Sequence, residues 1–162
     1  MFSGTLYVAA DHAGFEMKER MKVALIEYGF IVEDLGAATL NPDDDYVQYS
    51  RAVAERVAQD PEHFRGIIFS GSGQAEAMVA NRVRGVRAAV YYGEALAPQT
   101  DVEGVTLDII ESTRAHNDAN ILSLGSRFVT YDVALRAVRR WLATPFSGSE
   151  RHIRRIKAID AT

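Results

Sequence analysis

The chain has 162 residues, 48% of them hydrophobic and 25% charged, with 12 Gly, 4 Pro and no Cys, an ordinary globular composition with room for one domain spanning 1–162. Its 22 acidic residues outnumber 18 Lys and Arg, so there is no whole-molecule basic field for nucleic acid, and the absence of Cys excludes disulfides, thiolate metal sites and a cysteine nucleophile. No apolar run reaches the ~20 residues needed to cross a bilayer, and the Met1 to Gly4 start lacks the basic and apolar regions of a signal peptide, which makes the cytoplasm the expected compartment.

Short apolar runs then alternate with segments of helical period, the pattern of βαβ units. Thr5 to Ala10 reads as a strand buried on both faces, followed by Asp11-His12-Ala13-Gly14 and a helix from Phe15 to Tyr28 that Gly29 ends. A second strand begins at Phe30-Ile31-Val32 and finishes near Asp34-Leu35-Gly36. Asn41 to Asp45 is turn chemistry leading into a helix over Tyr46 to Ala58. Gly66 to Phe69 is the third strand, Gln74 to Arg82 a short helix, Arg87 to Tyr91 the fourth strand, Leu107 to Ala115 a helix and Ile121 to Leu124 the fifth strand. Helices over Asp132 to Ala143 and Arg151 to Ala161 complete the chain.

These elements predict an α/β fold of the Rossmann-like kind: a doubly wound five-stranded parallel sheet in an αβα sandwich, strand order 2-1-3-4-5, with a C-terminal helix. In that order the chain changes direction between strands 1 and 3, so ligands belong in the crevice at their carboxyl ends. Two loops meet there, Asp11-His12-Ala13-Gly14 and Ser70-Gly71-Ser72-Gly73-Gln74-Ala75-Glu76. The second puts small residues before a helix N-terminus, where free N–H groups and the helix dipole attract an anion. It lacks the Gly-Lys-Ser/Thr of a Walker loop and the spacing of a dinucleotide fingerprint, which disfavours a nucleotide. Arg151 and Arg155, four apart on one helix, suit a phosphate.

Taken together, Asp11-His12-Ala13-Gly14-Phe15, Asp44-Asp45-Tyr46, Gly71-Ser72-Gly73, Ala80-Asn81-Arg82, Gly85-Val86-Arg87-Ala88, His116-Asn117-Asp118-Ala119-Asn120, Gly125-Ser126-Arg127 and Arg151-His152-Ile153-Arg154-Arg155 resemble, nearly end to end and in the same order, the type B ribose-5-phosphate isomerases, whose superfamily includes the galactose-6-phosphate isomerase subunits. The resemblance implies a doubly wound fold, aldose–ketose isomerisation of a sugar phosphate with no metal or other cofactor, and an active site shared between two subunits of a homodimer, with a tetramer as a larger assembly. Many members place a Cys base at the end of the third strand. This chain has Ser70 there, and a serine hydroxyl is too weak an acid to serve unaided. A second subgroup carries its base in Gly-Ser-Gly-Asn-Gly-Glu; Gly71-Ser72-Gly73-Gln74-Ala75-Glu76 matches it except at Gln74 and Ala75, which makes Glu76 the base. The oxyanion cradle falls to the backbone from Gly71 to Gln74 with the Ser72 hydroxyl as a further donor, and Ser70 and Ala75 flank it. By the same resemblance His116 opens the sugar ring, Asn117 touches the substrate, and both come from the partner subunit. Asp11 and His12 meet the hydroxyls and ring oxygen; Arg127, Arg151 and Arg155 anchor the phosphate. The predicted order also puts the strand between His116 and Arg127 at the sheet's far edge, a separation that a two-fold dimer closes.

Between Arg87 and His116 the chain is longer than the usual family segment, across Tyr91 to Val105, a difference that bears on the choice of sugar and not on the reaction type. Ribose 5-phosphate is the expected substrate, with allose, galactose or erythrose phosphate as alternatives. Two readings from other classes stand beside it: a receiver-like or nucleotide-binding module built on Asp43 to Asp45, and a non-catalytic sugar-phosphate sensor.

Overall fold

The computed structural model describes residues 2–95, 97, 99–102 and 104–161. The strands are β1 (Thr5–Ala10), β2 (Ile31–Asp34), β3 (Phe64–Ser70), β4 (Ala88–Tyr91), β5 (Gln99–Thr100), β6 (Thr106–Leu107) and β7 (Ile121–Gly125). The helices are α1 (Phe15–Glu27), α2 (Tyr46–Gln59), α3 (Gln74–Ala80), α4 (Ile109–Ala115), α5 (Tyr131–Ala143) and α6 (Glu150–Ile159).

Side chains along β1 alternate between two cores, as the two-residue period of a strand requires. Leu6, Val8 and Ala10 join Ile67, Phe69, Leu122, Leu124 and fully buried Trp141 on the face covered by α1 and α5. Tyr7 and Ala9 join Val53, Val57, Ile68 and Ile121 on the face covered by α2 and α3. Burial on both faces explains the apolar runs Leu6 to Ala10 in β1 and Ile67 to Phe69 in β3, each large side chain contributing about 1.5–3 kcal/mol.

The sheet is parallel and doubly wound, as expected, but its order is β2-β1-β3-β7-β4. The expected order 2-1-3-4-5 is therefore corrected: the last strand enters between β3 and β4. All five residues of β7 are buried, whereas three of the four in β4 are only partly covered, as expected when β7 holds the inner place and β4 the edge. A second correction concerns the extra segment, which forms an antiparallel hairpin, β5 with β6, ahead of a helix that starts at Ile109 instead of Leu107. Asp108 sets that start: it accepts Ile110 N–H at 2.9 Å, and Glu111 reaches back to the Asp108 N–H at 3.1 Å, a capping box.

Candidate functional site

The β1 and β3 loops meet at the carboxyl ends of their strands. They approach so closely that a Cβ on Gly14 would lie 2.2 Å from the Phe69 carbonyl, so only glycine fits. Asp11, 6% exposed, accepts Ala13 N–H at 3.0 Å and Gly14 N–H at 3.1 Å and so fixes the turn into α1. Burial pushes its carboxyl above the ordinary aspartate range, against the opposing pull of the Gly14 N–H, His12 and the Ala13 N–H. His12 is held twice by Asp44 Oδ1, through its main-chain N–H at 2.9 Å and its ring Nδ1 at 2.9 Å.

In the β3 loop, fully buried Ser70 accepts Gly73 N–H at 3.0 Å, and Ser72 Oγ accepts Gln74 N–H at 3.3 Å. Gly73, at φ +75, starts α3 and accepts the Ser123 hydroxyl at 2.7 Å. Two of the four N–H groups expected to form the cradle are thus already engaged within the loop, leaving those of Gly71 and Ser72. Over Gly71 lies Arg127: its guanidinium carbon would be 3.3 Å from a Cβ at that glycine. The placement follows from the corrected strand order, since β7 adjoins β3 and Arg127 follows it; this arginine needs no second subunit to reach the crevice. Glu76 stands in the first turn of α3, 4% exposed, and its Oε2 has no hydrogen-bond partner among the described residues. Ala75 beside it is partly covered and Gln74 is exposed.

His116 lies elsewhere. It ends α4 ahead of β7, whereas Arg127 follows β7, and the five residues between the strand's ends at ~3.3 Å each put them at opposite ends of the sheet. There His116 Nδ1 is 3.3 Å from Ser112 Oγ, its ring is 4.6 Å from that of His152, and Asp101 Oδ2 is 3.5 Å from its Nε2. The same Asp101 oxygen is 3.6 Å from Arg151 Nη2. Buried His152 receives Arg151 Nε at 3.1 Å on its Nε2 and so donates from Nδ1 to Ser147 Oγ at 2.8 Å. Arg155 lies one turn further along α6 and is exposed, and Asn117 is exposed beside His116. The loop carrying His116 and Asn117 is tied down by Asp118, at φ +46, which pairs with Arg114 at 2.8 Å and Arg87 at 2.9 Å. Burial lowers the Arg114 pKa, with Asp118 opposing the shift.

The structure therefore gathers Asp11, His12, Ser70 to Glu76 and Arg127 at one end of the sheet and His116, Asn117, Arg151 and Arg155 at the other. Two site neighbours were missed by sequence reasoning. Asp44 was read as turn chemistry; its signal was the acidic triplet, in which Asp45 caps α2 through Val47 N–H at 3.0 Å and Asp44 turns inward. Asp101 lies in the added segment and had no sequence signal, because only the hairpin brings it to His116.

A doubly wound sheet with an anion-seeking loop and a buried carboxylate at its switch point is the architecture of a small-molecule α/β enzyme. Residues 6–159 match the family described as Ribose/Galactose Isomerase, and the chain belongs to that family. It is a sugar-phosphate isomerase of the aldose–ketose kind. Ribose-5-phosphate isomerase B of Mycobacterium tuberculosis is 36% identical over 154 residues, covering 95% of this chain and 86% of that protein. The crystal structure of the Mycoplasma genitalium ribose-5-phosphate isomerase B with bound ribulose-5-phosphate superposes with a TM-score of 0.85 at 33% identity, covering 98% of this chain and 95% of that one. A ribose 5-phosphate isomerase from Thermotoga maritima gives 0.81 at 36%, covering 98% and 99%. The resemblance to type B ribose-5-phosphate isomerases is thus borne out. Among the described residues no helix is long and apolar enough to cross a membrane.

Proposed function

We propose that this single-domain cytoplasmic protein interconverts ribose 5-phosphate and ribulose 5-phosphate through an enediolate, without metal or cofactor, and that Glu76 is the base. The observation that carries the reading is Glu76 itself: a carboxylate 4% exposed whose Oε2 has no partner among the described residues is costly to keep. Its position in the first turn after the glycine loop supports the same role. Glu76 takes the proton from C2 as the C1 carbonyl becomes the enediolate, then returns it to C1 while the O2 proton passes to O1 and the C2 carbonyl forms. The N–H groups of Gly71 and Ser72, with the Ser72 hydroxyl, face the developing oxyanion. Asp44 sets the orientation of His12, which meets the sugar with Asp11, and Arg127 meets the phosphate beside the loop.

The other half of the machinery, His116 to open the ring, Asn117 beside it and Arg151 with Arg155 for the phosphate, is at the wrong end of its own sheet to reach Glu76. A two-fold homodimer supplies it from the second copy. Exposed Met78, Tyr92 and Phe128, at 67%, 43% and 64%, flank the crevice and give such an interface apolar surface. Refolding Glu76→Gln and His116→Ala chains together is the test. Random pairing makes about half of the dimers mixed, each with one intact site, so about a quarter of wild-type activity returns; mixed dimers as inactive as their parents would refute the shared site. A coupled assay in chelator against ribose 5-phosphate, allose 6-phosphate and erythrose 4-phosphate fixes the sugar, and no turnover on any of them would leave a sensor.

A further inference from the structure

Asp101 closes the β5–β6 turn with three hydrogen bonds: its N–H donates to the Val105 carbonyl at 2.9 Å, its carbonyl accepts Gly104 N–H at 3.1 Å, and its Oδ1 accepts Val105 N–H at 2.9 Å. One carboxylate oxygen is thereby fixed, and the direction of the other follows. Oδ2 points at His116 Nε2, 3.5 Å away, and at Arg151 Nη2, 3.6 Å away, from a side chain only 8% exposed. His116 turns its Nδ1 to Ser112 of its own helix, so Nε2 is the nitrogen left for a substrate, and Asp101 stands in front of it.

We propose that Asp101 is an affinity- and specificity-setting residue: a carboxylate tethered to the chain that competes with the sugar phosphate for Arg151 and His116. The proposal rests on the reading of those two residues as phosphate anchor and ring opener. A tethered group acts at a high effective concentration, so an incoming ligand must bind the pair better than a carboxylate does. A phosphate dianion carries more charge and three acceptor oxygens, and it displaces Asp101; a neutral sugar or a sugar acid with a single carboxylate does not. The hairpin therefore filters for phosphorylated sugars at the expense of affinity.

Asp101→Asn removes the charge and keeps an oxygen for Val105 N–H, so the turn survives; Asp101→Ser keeps an acceptor in a shorter side chain and replaces it should the Asn protein not fold. On the intact protein we expect the dissociation constant for inorganic phosphate, measured by calorimetry, and KM for ribose 5-phosphate both to fall about tenfold, the scale of one partly buried charge pair, with kcat retained. Arg151→Gln, measured alongside, weakens both. Unchanged or weaker phosphate binding in the Asp101 variants, with Arg151→Gln still damaging, overturns the competition while the anchor assignment stands. If Arg151→Gln leaves both constants at the wild-type value, the anchor assignment fails and the proposal falls with it.

Discussion

The two ends of the sheet are built differently. At the carboxyl end nearly every polar contact runs through the main chain: Asp11 to two N–H groups, Ser70 to Gly73 N–H, Ser123 to the Gly73 carbonyl. At the other end side chains meet side chains: His116 with Ser112 and Asp101, His152 with Ser147 and Arg151. A site made of backbone is fixed by the fold and changes only if the fold does. A site made of side chains is adjustable one residue at a time, and in this protein the adjustable half is the one that an added hairpin touches.

The sharpest way to break this contrast is Glu76→Gln, which changes one functional atom in the fixed half. We expect kcat to fall by about 10²–10⁴-fold, the usual contribution of a positioned base, with KM little changed. Steady-state kinetics retaining more than a tenth of wild-type kcat would put the base elsewhere.

Next in size is the support behind the crevice. Lys18 is fully buried in α1, bonded to both Asp34 oxygens at 2.8 Å and to the Ala37 carbonyl at 2.7 Å, and Ala37 N–H in turn meets the Ala10 carbonyl at the end of β1. Lys18→Met takes the buried donor from the Ala37 carbonyl and leaves Asp34 with Lys22 and the Gly36 N–H, and urea titration is expected to show a loss of about 3 kcal/mol, the lower end of the cost of breaking a buried pair because Asp34 stays compensated. Burial alone would raise the Asp34 pKa, but Lys18, Lys22 and the Gly36 N–H outweigh it and hold the carboxyl below its ordinary 3.8. Because the folded value is the lower one, this contribution is complete above pH 3.8 and is lost as the pH falls through the folded value. Lys18→Met should flatten that acid loss; an unaltered acid limb would show that Lys18 does not hold Asp34.

Smaller still is Ser70→Ala, which strands the buried Gly73 N–H and is expected to cost about 1–3 kcal/mol in the same titration. A neutral result would mean that the loop holds its shape without Ser70 and that the fixed half is less constrained than its contacts suggest.

The backbone-built half was also the half legible in the sequence. Leu6 to Ala10 announces burial on both faces, and the Gly-Ser-Gly loop with Glu76 stands in consecutive residues at the end of such a strand. The strand order was not legible, because Ile121 to Leu124 and Ala88 to Tyr91 are both short apolar runs, and right-handed crossovers permit either order. What separates them is how completely α3, α4 and α5 cover each, a tertiary property. Asp44 and Asp45 are equivalent in sequence, and only the helix entry, with Asp45 as its cap, decides which one turns inward. Asp101 is 15 positions from His116, a distance that only the pairing of Thr100 with Thr106 resolves.

Among the described residues strand β4 has a single neighbour in the sheet, β7, and the added hairpin hangs from its end. A segment leaving an edge strand can lengthen without breaking a ladder hydrogen bond, and each doubling of a flexible connection costs only about 0.6 kcal/mol in closure entropy. The stretch between Tyr92 and Asp108 is therefore a splice point: one hairpin can be exchanged for another while the glycine loop, Glu76 and the inner strands keep their positions. Diversification of this scaffold, by evolution or by grafting, has an entry that leaves the end of the sheet that holds Glu76 untouched.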